Sequence, residues 1–250
     1  MSEQIEELQG KAHYSVKLQE TLELDGSPVA VAIMPEPPDD LRHWHRKATP
    51  CMMIQSARRG VAFYCSGDAI LCGGRAHLGI AESPIRKLDD FLVRREKLAG
   101  SKAAARKMLD PIKERAPKLG GYLVFTPLEK ANFSPEVVLF VGTPFQISRI
   151  IFLDAFETGE IDTIHGEPLC SGVIATPITT GKIGVSFLDT ACRLFGRYKP
   201  EEMVIGVPYQ RLPRIVNSID LSIAGTAKPD LFLKLVGNLF RRHVPDSSAK

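Results

Sequence analysis

Four of the five cysteines in this 250-residue chain fall into two pairs of matching spacing: 20 residues separate Cys51 from Cys72, and 21 separate Cys170 from Cys192. Thiolates are soft ligands, and four of them from distant segments suit an iron–sulfur cluster of the 4Fe–4S type or a tetrahedral zinc ion. No Cys-x-x-Cys pair, the usual sequence sign of either centre, is present. Reduced cysteine also serves as a small buried hydrophobe, so the residues alone leave cluster, zinc and no metal open. Cys65 has no counterpart in the second pair and reads as core. His43-Trp44-His45 is flanked by Arg42, Arg46 and Lys47 and reads as exposed; alternate residues share a face only on a strand.

The chain around each pair repeats an order. A helix follows the first cysteine, then a glycine (Gly60; Gly181), a β-like run (residues 61–64; 183–187), an aspartate (Asp68; Asp189) and the second cysteine. Further on, Gly142-Thr143-Pro144-Phe145-Gln146 and Gly206-Val207-Pro208-Tyr209-Gln210 share a Gly-x-Pro-aromatic-Gln pattern, each between an apolar strand and a helix. Thr143 and Gln146 have the capping-box spacing. The rival reading gives Gly142, Thr143, Gln146, Gly206 and Gln210 to a small anionic ligand or cofactor held by free N–H groups at the helix starts. Capping is preferred, because no lysine or arginine accompanies a glycine-rich phosphate loop there. Duplicated units pack about a pseudo-two-fold axis, which would bring the four thiols to one centre.

The elements that must position these residues follow from periodicity and turn chemistry. Helices are expected over about 3–22, after Cys51 to near Gly60, over 75–79, from Ser83 as N-cap through Leu88, Phe91 and Leu92, over 101–108, 144–156 and 208–219. Strands are expected at 29–34, 61–65, 122–125, 137–141 and 203–205, and the proline cluster at 35–40 must be loop. Leu231, Phe232, Leu235, Val236, Leu239 and Phe240 give one face of a C-terminal helix over 229–242. The expected fold is a single α/β domain of internally duplicated strand-turn-helix units around a mixed sheet. Its first repeat covers about 28–156, with a helical insert at 83–118, and its second about 165–220.

An apolar fraction of 44% and a charged fraction of 24% are those of a globular domain, and 250 residues suffice for a buried core. A net charge of +3 argues against nucleic acid. Only residues 86–118 are locally basic, with 11 Lys and Arg against 5 Asp and Glu, and they read as the solvated face of two helices. The acidic start Met1-Ser2-Glu3-Gln4 lacks the features of a secretory signal, and no run is long enough to cross a bilayer, so the expected location is cytoplasmic. No Walker loop, dinucleotide fingerprint or Ser-His-Asp signature supports a kinase, dehydrogenase or hydrolase, and whether the chain is an enzyme stays open.

The run from Cys51 to Cys72-Gly73-Gly74-Arg75-Ala76, with Val137 to Arg149, Cys170-Ser171-Gly172, Cys192-Arg193 and Glu202-Met203-Val204-Ile205-Gly206-Val207-Pro208, resembles the uncharacterised ArCR family of archaea and anaerobic bacteria. The resemblance implies a similar cysteine set, and the anaerobic setting places an iron–sulfur cluster ahead of zinc. Arg193 and the basic insert depart from the family pattern. The expectation is a cluster-binding redox or electron-transfer protein with Cys51, Cys72, Cys170 and Cys192 as ligands. Its partner would be a redox protein, and self-association is left open. The alternative is a non-redox module for a small anion or cofactor, with the cysteines merely buried.

Overall fold

A computed structural model describes residues 2–117, 120–226 and 237; the C-terminal helix expected over 229–242 lies, apart from Gly237, outside them. Among the described residues the architecture is a mixed eight-stranded sheet with helices on both faces, the α/β class the sequence leads one to expect. In chain order the elements of the first half are α1 (Ser2–Leu22), β1 (Val29–Met34), β2 (Arg42–His43), α2 (Pro50–Arg58) and β3 (Phe63–Ser66). Then come α3 (Gly74–His77), α4 (Leu88–Arg94), α5 (Lys102–Arg115) and β4 (Tyr122–Pro127). The second half has β5 (Val137–Gly142), α6 (Pro144–Ala155), β6 (Ile164–His165), a π-helical turn (Ser171–Ala175) leading into α7 (Thr176–Thr180), and β7 (Gly184–Ser186). It ends with α8 (Thr190–Gly196), β8 (Met203–Pro208), α9 (Leu212–Ser218) and α10 (Ile223–Thr226).

The strands run in the order β2-β3-β4-β1-β5-β8-β7-β6. Read from either edge inward, the order is the same: a parallel edge pair joined through a helix (β2-α2-β3; β6-π-turn-α7-β7), an antiparallel neighbour (β4; β8), then the half's first strand (β1; β5). β1 and β5 close the sheet as an antiparallel pair, with Val31 opposite Val137. The strand order is thus symmetric about the β1–β5 pair, and residues 128–136 connect its two sides.

Alternation along the strands separates two cores. Val29, Val31, Ile33, Phe125, Leu139 and Val204 face α2, the π-turn and α8. Ala30, Val138, Phe140, Ile205 and Val207 face α1, α6 and α9. The insert keeps a small core of its own around Leu92, Ala105, Leu109 and Ile112. Ser83 does not cap α4; its hydroxyl closes a local turn with Ile85, and the helix starts only at Leu88. Ser101 does cap α5, accepting from the Ala104 N–H, and α5 continues through Pro111 to Arg115.

Candidate metal centre

Each half contributes its two cysteines from equivalent places. Cys51 lies in the first turn of α2, opened by extended Thr49 and by Pro50. The Thr49 hydroxyl stands at the N-cap without capping, because it is engaged with Cys51 Sγ at 2.9 Å. Cys170 lies at the start of the corresponding crossover helix, directly before the π-turn. Cys72 follows β3, and Cys192 follows β7 inside α8. Asp189 caps α8, accepting the Cys192 N–H at 2.8 Å through Oδ1 and the Cys192 thiol at 3.3 Å through Oδ2.

The four sulfurs are brought into one pocket. A Cβ placed on Gly74 would lie 3.2 Å from both Cys72 Sγ and Cys170 Sγ and 2.9 Å from Pro50 Cγ, so only a residue without a side chain leaves this gap open. The Cys192 side chain beside it, more than Thr49 and the Met52 N–H, holds the Cys51 thiol below its ordinary value. The same contact, followed by burial, raises Cys192. Burial pushes the Cys72 thiol up to about 11 and carries Cys170 well above the normal range. Cys170 also feels the charges of Cys72 and Cys51, which ties all four together electrostatically. Tyr198 donates to the Cys51 carbonyl at 3.1 Å from a fully buried ring, pinning α2 against the chain beyond α8.

Among the described residues, no three His, Cys, Asp or Glu side chains are arranged to hold a metal ion. A tetrahedral zinc site needs its sulfurs drawn in to bond length around one atom. A cluster carries its own inorganic core, so its four cysteines stand farther apart. The four sulfurs are soft donors of the kind either group takes.

The anion-site residues do not come together. Gly142 pairs with Met203 and Val137 with Pro208, so the turns after β5 and β8 sit at opposite ends of an antiparallel pair, about 17 Å apart. At the start of α6 the donors are already used: Gln146 Oε1 accepts the Thr143 N–H at 2.7 Å, and Thr143 Oγ1 accepts the Gln146 N–H in a closed capping box. Pro208 leads into a single 3-10 turn in which Gln210 is exposed. Its topological partner is Pro127, with φ −54 and ψ 139 against φ −53 and ψ 130 at Pro208, and both precede 3-10 turns. The five-residue match therefore joins strands that are not equivalent in the sheet. Gly206 has a packing reason instead: a Cβ there would sit 1.9 Å from the Val173 carbonyl oxygen, where the helix carrying Cys170 crosses the sheet.

Several residues around the pocket carry no sequence signal. His77, in α3, holds Nδ1 3.9 Å from Cys170 Sγ, while Nε2 is buried with no hydrogen-bond partner among the described residues. Burial lowers its imidazole to about 4. Asp68 does not mirror Asp189; its carbonyl takes the Lys47 ammonium. Cys65 is fully buried core, its thiol pushed up to about 12 and directed at Met53 Sδ. The His43 and His45 rings share one side of the sheet edge, 4.0 Å apart, with His43 stacked on Tyr64.

A sequence profile of the uncharacterised ArCR family matches residues 17–218. The chain belongs to this family. The ArCR match includes all four pocket cysteines and ends with α9. An uncharacterized protein of Methanocaldococcus jannaschii is 28% identical over 214 residues, covering 82% of this chain and 91% of its own length. No solved structure matches the chain at significance. No described helix is long and apolar enough to cross a membrane.

Proposed function

We propose that Cys51, Cys72, Cys170 and Cys192 hold an iron–sulfur cluster of the 4Fe–4S type and that the protein works in electron transfer. What supports this reading is the approach of four thiols, two from each half: Cys72 and Cys170 across the gap at Gly74, and Cys51 beside Cys192. Such a group supplies a one-electron store when bound. The chain's own residues do the rest. Asp189 and Thr49 orient Cys192 and Cys51, Tyr198 fixes the backbone of α2, and the apolar walls from both halves exclude water. Ligation requires thiolates, so the buried, protonated sulfurs of Cys72, Cys170 and Cys192 must each release a proton.

Anaerobic reconstitution followed by iron and sulfide analysis tests the reading. Replacing Cys170 or Cys192 with serine should cut bound iron by more than about tenfold, the loss that removing even a residue that only orients a ligand brings, whereas Cys65→Ser should leave it unchanged. A chain that takes up no iron, or one whose iron content depends equally on Cys65, sinks the proposal.

A further inference from the structure

Gly74 leaves two sulfurs from opposite halves of the sheet with nothing between them. A Cβ there would stand 3.2 Å from Cys72 Sγ and 3.2 Å from Cys170 Sγ, so the two atoms flank one small gap and lie no farther apart than twice that distance. Cys72 sits on the bend before α3, outside any helix or strand, and is half-buried, whereas Cys170 is buried at the start of its crossover helix. Closing the gap to bonding distance therefore takes adjustment of a bend and a side-chain rotation, not the displacement of a strand.

The other two pocket thiols are held differently. The Thr49 hydroxyl engages Cys51 Sγ at 2.9 Å, the Cys192 thiol donates to Asp189 Oδ2 at 3.3 Å, and both cysteines are buried. Cys170 Sγ has a looser polar contact, 3.9 Å from His77 Nδ1. A sulfur that solvent reaches, backed by a buried one, is the arrangement in which an attacking thiol has a resolving thiol behind it.

We infer that Cys72 and Cys170 form a reversible dithiol–disulfide couple whose substrate is a small-molecule disulfide. The inference goes beyond the cluster reading and needs no iron. Cys72 Sγ attacks the substrate, bonds to one of its sulfurs and releases the other half as a thiol that carries the Cys72 proton. Cys170 Sγ then attacks Cys72 Sγ, and the second half leaves as a thiol with the Cys170 proton. Two electrons pass from the pair to the substrate, and the protein is left with one new S–S bond. Where the cluster reading holds as well, this bond withdraws two of the four ligands.

The test brings the metal-free full chain to equilibrium with graded mixtures of oxidised and reduced glutathione, then traps free thiols with a maleimide for mass counting and maps the linked peptides. Burial pushes the Cys72 thiol up to about 11, which makes exchange slow, so readings are taken at equilibrium. The reduced chain traps one maleimide at each of its five cysteines. The oxidised chain should trap two fewer, with the peptide of Cys72 joined to that of Cys170, and dithiothreitol should restore the full count. Cys170→Ser should stop at a glutathione adduct on Cys72, Cys72→Ser should give neither adduct nor bond, and Cys65→Ser should behave as wild type. Gly74→Ala, which sets a methyl between the sulfurs, should demand about tenfold more oxidised glutathione for half-conversion. A full thiol count at every ratio, a lasting glutathione adduct on the wild-type chain, or a bond mapped to Cys51 and Cys192 would overturn the couple. Iron analysis of the reduced chain after reconstitution is read separately: a bond without iron removes the cluster alone, and iron without the bond removes the couple alone.

Discussion

At the scale of single residues, the same side chain type serves two purposes here, and surroundings decide which. Cys65 lies within β3 against Met53 and acts as a hydrophobe; Cys170 is as deeply placed but faces other sulfurs. Pair spacing made the four thiols legible in the sequence. The polar residues around them were not, because His77 and Tyr198 reach the pocket only through the fold, and Thr49, two residues before Cys51, has the look of an ordinary helix cap. Glu136 shows a comparable effect of place. Its carboxylate accepts the Ile33 N–H at 2.8 Å where the pairing of β5 with β1 has ended, yet burial outweighs that bond and raises its titration point above the unfolded carboxyl value. The folded state therefore takes up this proton before the unfolded state does, so its contribution to stability grows as pH falls through the raised value and levels off below the unfolded one. Glu136→Gln keeps an acceptor and removes the charge. It should add about 1 kcal/mol at neutral pH and flatten the stability curve over that window, as read from urea midpoints across a pH series.

At the scale of elements, helical period and turn residues located α1, α2, α6 and β1, β4 and β5 closely, since each is long enough to show its repeat. The two-residue edge strands β2 and β6 are invisible to any periodicity, and with them the parallel crossovers that place Cys51 and Cys170. Ser83 misled because a serine before proline caps a helix or closes a turn equally well. The crossover helix beginning at Cys170 depends on close approach to the sheet, where Gly206 meets the Val173 carbonyl and Gly184 the Gly172 carbonyl. Gly206→Ala forces a methyl into that contact. It should cost about 3 kcal/mol, the upper range for overpacking, and reduce iron retention together with stability, whereas Ala substitution at exposed Gly100, which has nothing within 4 Å, should do neither.

At the scale of the whole molecule, the halves are tied together by a buried ion pair as well as by the β1–β5 seam. Arg58 at the end of α2 reaches Glu202 at the start of β8 at 2.7 Å, both nearly excluded from solvent, and Glu202 also takes the Lys199 N–H. Arg58→Met strands a buried carboxylate and should cost about 3–5 kcal/mol, while the double change with Glu202→Leu should recover most of the loss; a double-mutant cycle by chemical denaturation measures both. The symmetric strand order was only half legible in the sequence. Cysteine spacing pointed to equivalent segments, but the Gly-x-Pro-aromatic-Gln match drew a false correspondence between β5 and β8, because a short turn motif reports local backbone needs and not position in a sheet.

Because each half owns two of the four sulfurs, neither can complete the pocket alone. During synthesis, β1 to β4 emerge with two of the pocket thiols, Cys51 and Cys72, and no mates for them, and the set is complete only once α8 has left the ribosome, some three-quarters of the way along the chain. If the pocket holds the proposed cluster, its loading is a late event that reports on closure of the seam, and fragments divided in the 128–136 connection should each remain colourless until they are mixed.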